Sequence, residues 1–142
     1  HRRGYLPMER PMVWSVADEN TLYVAETPTG RLWAYALAAP GEIDRSQRPC
    51  MMAQIPDHHM FDSLAVDAEG NVCVATLING GITIHSADGE FAKHISMPDA
   101  LTTNICFGGE SLKTAYITLS TTGKLVSCEW ETPGLALNFL NK

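Results

Sequence analysis

A chain of 142 residues, 45% of them hydrophobic, has the length of one domain and enough apolar side chains for a core of ordinary size. Ten basic residues against sixteen acidic leave a net charge of −6, which argues against a protein that grips a phosphate backbone. No apolar run approaches the roughly 18 residues of a membrane span and no apolar leader follows the N-terminus, so a cytoplasmic protein with neither nucleic-acid nor membrane partners is expected.

Strand signals follow one another along the chain. VWSVA, TLYVAE and RLWAY come first, and a helical reading of RLWAYALAAPGE fails because Pro40 and Gly41 would stop it. MMAQIP is expected to complete this unit. The stretch HHMFDSLAVDAEGNVCVA then brings SLAVD and NVCVATL, joined by a DAEGN turn, and GITIH and FAKHISMP follow. NICFG, TAYITLS and KLVSC form the third group, with PGLALNF closing the chain.

Overlaying the groups exposes a repeat of about 43 to 50 residues, in the range of propeller blades. Val24, Val74 and Ile117 each stand six residues before a turn glycine, Gly30, Gly80 and Gly123. Each unit reads as strand, turn, strand, glycine turn, strand, and a fourth segment. The expected fold is therefore all-β, a β-propeller domain over 1–142 with about three four-stranded blades at roughly 12–56, 62–99 and 103–142. Closed propellers have about four to eight blades, so three blades imply half of something larger. The absence of Met at residue 1 also suggests part of a longer gene product. Two copies closing one ring through their exposed blade edges is the alternative.

Several chemistry-bearing residues fall into place on this frame. Asp62 immediately precedes the first strand of its blade, where its carboxylate can face the axial channel. Thr103 occupies the start of the third inner strand, as Asp62 does in the second, and Asn104 should point the other way. Asp67 belongs to a turn whose side chains bond their own backbone. His58 and His59 are adjacent, so in an extended chain their rings would face opposite ways and could not both hold one ion; a surface loop is expected for both. His85 and His94 take outer-strand positions. Cys50, Cys73, Cys106 and Cys128 show no CxxC pairing; the last three, inside apolar runs, read as small reduced hydrophobes. No GxSxG elbow and no phosphate-loop lysine is present.

LYVAETPTGRLWAY, FDSLAVDAEGNVCVATLINGGITI, TTNICFGGESLKTAYIT and PGLALNF resemble, in order, the C-terminal half of the SMP-30/gluconolactonase/LRE (regucalcin-like) family. The resemblance implies a six-bladed propeller with one divalent cation, calcium or zinc, at the channel mouth, and hydrolysis of sugar-acid lactones or related cyclic esters. It also implies a cation held by a glutamate of the first blade, an asparagine from mid-chain and an aspartate of a PDG-like turn. Asp62, in FDSL, matches that aspartate and is expected to be both metal ligand and catalytic base. The asparagine's place falls on Pro11 or Met12, and the glutamate has no counterpart, so the cation is expected to be weakly held or absent here. Thr103 is the candidate substrate contact. The competing reading is a non-catalytic propeller that binds calcium or a protein partner.

Overall fold

The computed structural model describes residues 12–16, 20–56 and 58–137. Every helix-or-strand element among them is a β-strand. The first sheet holds β1 (Met12–Val16), β2 (Thr21–Glu26) and β3 (Arg31–Ala39), with β4 (Glu42–Ile43) and β5 (Cys50–Gln54) sharing the far edge of β3. The second holds β6 (Met60–Val66), β7 (Val72–Leu77), β8 (Gly81–His85) and β9 (Ala92–Ser96) in that order. The third holds β10 (Thr102–Gly108), β11 (Thr114–Leu119) and β12 (Lys124–Glu129). All pairings between these strands are antiparallel.

The three sheets repeat one another in register. Val24 lies opposite Trp33, Val74 opposite Thr83 and Ile117 opposite Val126. On their other side the same three residues face Trp14, Leu64 and Ile105. The glycine six residues on takes a positive φ each time, 58° at Gly30, 60° at Gly80 and 62° at Gly123, a conformation that a side chain resists. Gly30 and Gly80 also accept a hydrogen bond from the residue that follows the outermost strand, Ile55 and Met97, at 2.9 and 3.1 Å.

Successive sheets stack face to face. Leu32 and Tyr23 of the first meet Phe61, Leu64, Val72 and Val74 of the second in one core. Cys73, Ala75 and Ile82, on the opposite face of the second, meet Ile105, Ala115, Ile117 and Trp130 of the third in another. The middle sheet is thus apolar on both faces, which is why NVCVATL reads as a continuous run instead of an alternation. The inner strands β1, β6 and β10 neighbour one another in turn. Twisted antiparallel sheets stacked in this way around their inner strands are blades of a β-propeller.

The third sheet departs from the four-strand plan, with three strands among the described residues. The chain after β12 does not turn back along it. Pro133, Gly134 and Leu135 cross instead to the inner strand of the second blade: Ala68 N–H donates to Pro133 at 2.8 Å, and Leu135 N–H to Val66 at 3.0 Å. Gly134 N–H is taken by Leu112 at 2.8 Å. The free edge of β6 offers unpaired backbone groups, and the returning segment satisfies them.

Candidate functional site

The inner strands β6 and β10 share an irregularity near their starts. In β6 the register shifts between Phe61, opposite Thr76, and Leu64, opposite Val74. In β10 it shifts between Thr102, opposite Leu119, and Asn104, opposite Thr118. Each shift inserts one residue on the inner strand, a β-bulge, and the two registers make Asp62 the equivalent of Thr103. Asp62 was expected just ahead of its strand; it lies inside it, because Met60 and Phe61 already pair with Leu77 and Thr76. Bulges release a side chain from the strict alternation of the sheet and are frequent beside active sites.

Asp62 is half-buried. Burial pushes its carboxyl above the usual range, opposed by a hydrogen bond from the Ser63 backbone. The Thr103 hydroxyl, also half-buried, lies 2.8 Å from the Thr118 hydroxyl and 3.5 Å from the Thr118 carbonyl. Asn104 is exposed, and its Oδ1 accepts the Ile105 N–H at 2.8 Å. Further along the same two strands lies a cavity of about 180 Å³ lined by Leu64, Val66, Ile105, Phe107, Leu135 and Leu137. The arrangement is a pair of equivalent polar side chains at one end of neighbouring inner strands, with an apolar hollow beyond them.

Among the described residues no group of three or more His, Cys, Asp or Glu is placed to hold a metal ion. Pro11 lies outside the described residues, and of Met12 only the strand position is described. Among the described residues Asp62 is the carboxylate placed at these strand starts, and one carboxylate by itself does not complete the coordination of a divalent cation. Asp67 is occupied elsewhere: Oδ1 accepts the N–H groups of Glu69 and Asn71, and Oδ2 the Asn71 side-chain amide, all at 2.9 Å.

His58 and His59 lie in the loop between β5 and β6, where their rings meet edge-on at 3.9 Å between centroids. Burial and the neighbouring His58 and His94 lower the His59 pKa. His85 is buried against Phe61. Cys106 and Cys128 are exposed, whereas Cys73 is buried, with burial and the nearby Asp67 raising its thiol pKa far above normal.

Two features have no counterpart in the sequence reading. Thr76 donates to the Val74 carbonyl at 3.1 Å; its hydroxyl also lies 2.7 Å from that of Thr83, which lies 3.0 Å from His94 Nδ1. With the Thr76 proton on Val74, Thr83 donates to Thr76 and accepts from His94 Nδ1. This polar file begins opposite Phe61, the residue before Asp62. Threonines inside the runs NVCVATL and GITIH were its signal. Ile78, in the turn between β7 and β8, holds a φ of 79° while exposed, strain of order 1–3 kcal/mol for a β-branched residue. Its residue type gives no hint of this.

The family model described as SMP-30/Gluconolactonase/LRE-like region matches residues 11–121. The chain is 29% identical over 116 residues to the diisopropyl-fluorophosphatase of Loligo vulgaris, covering 80% of this chain and 36% of that protein. It is 31% identical over 103 residues to the 6-deoxy-6-sulfogluconolactonase of Pseudomonas putida, covering 72% and 35%. The solved structure of regucalcin from Agrobacterium tumefaciens, a calcium-binding protein, superposes with a TM-score of 0.72 over 89% of this chain and 48% of that one; at 20% identity this is a likeness of fold. The chain spans about a third of the length of the curated relatives it matches. Since the match to the family model runs from β1 into the turn after β11, this chain belongs to the SMP-30/gluconolactonase/LRE-like family.

Proposed function

We propose that this chain carries the catalytic carboxylate, Asp62, of an enzyme that hydrolyses sugar-acid lactones or related cyclic esters. Family membership and the sulfogluconolactonase relative support the reaction class. The observation that carries the assignment is the place of Asp62: a half-buried carboxylate of raised pKa, set on a bulge at the start of an inner strand. A raised pKa makes the ionised form a stronger base.

Asp62 takes a proton from a water whose oxygen attacks the lactone carbonyl carbon. The tetrahedral oxyanion then collapses, the ring carbon–oxygen bond breaks, and the departing ring oxygen recovers the proton from Asp62. The Thr103 hydroxyl, on the equivalent bulge, can turn to a hydroxyl of the substrate. The family resemblance adds a divalent cation, calcium or zinc, which supplies Lewis-acid polarisation when bound. Asp62 is one ligand for it, and the others have to come from outside the described residues. The four free thiols suit the cytoplasm.

The test uses the full-length protein. Proton release from a gluconolactone is expected to fall about 10²- to 10⁴-fold in Asp62→Asn, and calorimetric titration with calcium or zinc to weaken in Asp62→Ala. An unchanged rate and unchanged binding would remove Asp62 from the chemistry. One observation favours the competing reading of a non-catalytic binding propeller: the described residues offer a single carboxylate at the site. That reading predicts no lactone turnover with either metal supplied.

A further inference from the structure

Two turns of the second blade set a glycine after Asn or Asp: Asn79–Gly80 between β7 and β8, and Asp88–Gly89 between β8 and β9. In such a pair the glycine nitrogen can reach the side-chain carbonyl carbon of the residue before it, because no Cβ crowds the approach. Whether it reacts depends on what else holds the two groups.

At Asp88–Gly89 both are held. The Gly89 N–H donates to the Ser86 carbonyl at 2.8 Å, and Asp88 Oδ1 accepts the Ser86 hydroxyl and, at 3.0 Å, the Glu90 N–H. These bonds keep the Asp88 carboxyl below its ordinary pKa, so it is ionised and a poor electrophile.

At Asn79–Gly80 neither is held. Asn79 is exposed, and among the described residues its side-chain amide and the Gly80 N–H have no hydrogen-bond partner. The cause lies in the turn. In the equivalent turns the glycine N–H donates back across it, Gly30 to Thr27 and Gly123 to Ser120, both at 3.4 Å. Here the Ile78 N–H is drawn to the Ala100 carbonyl at 2.7 Å, Ile78 takes a φ of 79°, and the bond from Gly80 to Leu77 is not made. The Gly80 carbonyl, by contrast, accepts the Met97 N–H at 3.1 Å. A backbone N–H without a protein partner is one that water satisfies. The two equivalent glycines follow Thr29 and Thr122, whose side chains have no carbonyl to attack.

We propose that Asn79 is a site of spontaneous deamidation. The Gly80 nitrogen attacks the Asn79 side-chain carbonyl carbon; its proton passes through water to the amide nitrogen, which leaves as ammonia, and a succinimide ring closes. Water then opens the ring at either carbonyl, leaving aspartate or, when the main-chain carbonyl is the one attacked, isoaspartate. Leu77, beside this turn, pairs with Met60 and bridges to Leu101, which stand two residues ahead of Asp62 and Thr103. The modification thus adds a negative charge at the end of the blades where those side chains begin, and isoaspartate also adds a methylene to the main chain of the turn.

For the test, the full-length protein is incubated in mildly alkaline buffer beside a synthetic LINGGIT peptide, digested, and mapped by mass spectrometry. The Asn79 segment is expected to gain the mass of an amide-to-acid exchange at a rate within about tenfold of the free peptide, because neither reacting group has a hydrogen bond to break. Isoaspartate in that segment is expected to accept a methyl group from S-adenosylmethionine through a protein isoaspartyl methyltransferase. Asn79→Gln, which needs a larger and slower-closing ring, is expected to abolish the signal from this segment, and Asp88–Gly89 to give none. An Asn79 that stays intact while the peptide converts overturns the proposal, as does a signal that survives Asn79→Gln or isoaspartate that forms as fast at Asp88.

Discussion

His85 lies on the same face of β8 as Thr83, with its ring 5.8 Å from that of Phe61 and its Nε2 buried without a hydrogen-bond partner. Burial lowers its pKa, so the folded protein keeps it neutral. The unfolded chain takes up a proton near the ordinary value of about 6.5, and stability is lost as pH falls below that toward the lowered folded pKa. His85→Leu is expected to flatten this slope and to add about 1 kcal/mol at neutral pH by removing an unsatisfied buried group. Urea melts at pH 7.5 and 5.5 measure both; an unchanged slope assigns the acid sensitivity elsewhere. The sequence misled here for a physical reason. Alternation in GITIH separates two faces, but it does not tell that both are covered. The equivalence of Asp62 with Thr103 was legible, since it follows from counting residues along the repeat. The burial of Asp62 was not, since that depends on what the neighbouring strands bring.

The three glycine turns have equal φ and unequal surroundings. A Cβ on Gly123 meets nothing within 4 Å, whereas one on Gly80 runs into the Asp99 backbone carbonyl. That carbonyl cannot easily move. Asp99 Oδ1 accepts the Leu101 N–H, and Oδ2 accepts the backbone and hydroxyl of Thr122, each at 2.8 Å. Burial works to raise the Asp99 pKa, but these bonds outweigh it and hold the carboxyl well below the usual range. Gly123→Ala is therefore expected to cost about 1 kcal/mol, the conformational penalty alone. Gly80→Ala should cost roughly twice that or more, through displaced backbone. Equal shifts in urea midpoint would show that the Asp99 clamp yields freely. The glycines were readable as turns because spacing is a local property. The bulges at Asp62 and Thr103 were not, since a bulge exists only relative to the partner strand.

Among the described residues the middle blade packs against both of the other sheets, and β7 is its most enclosed strand, with Val72, Cys73, Val74, Ala75 and Thr76 all at 0% exposure. Opening any of its amides requires separating a neighbouring blade. Amide exchange is expected to be slowest across β7 and to track global unfolding there, with the edge strands β9 and β12 exchanging faster. Slowest protection in the first or third blade would contradict a middle blade shared by two cores. At this scale the sequence by itself determined the all-β class, the repeat and the equivalence of Asp62 with Thr103, because strand periodicity and turn glycines are written in nearest neighbours along the chain. Only the tertiary structure decided that His85 is enclosed, that Asp62 sits on a bulge, and that residues 133–135 cross from β12 to β6. Those outcomes depend on which unpaired backbone edge and which apolar face lie within reach, and reach is set by chain segments far apart in sequence.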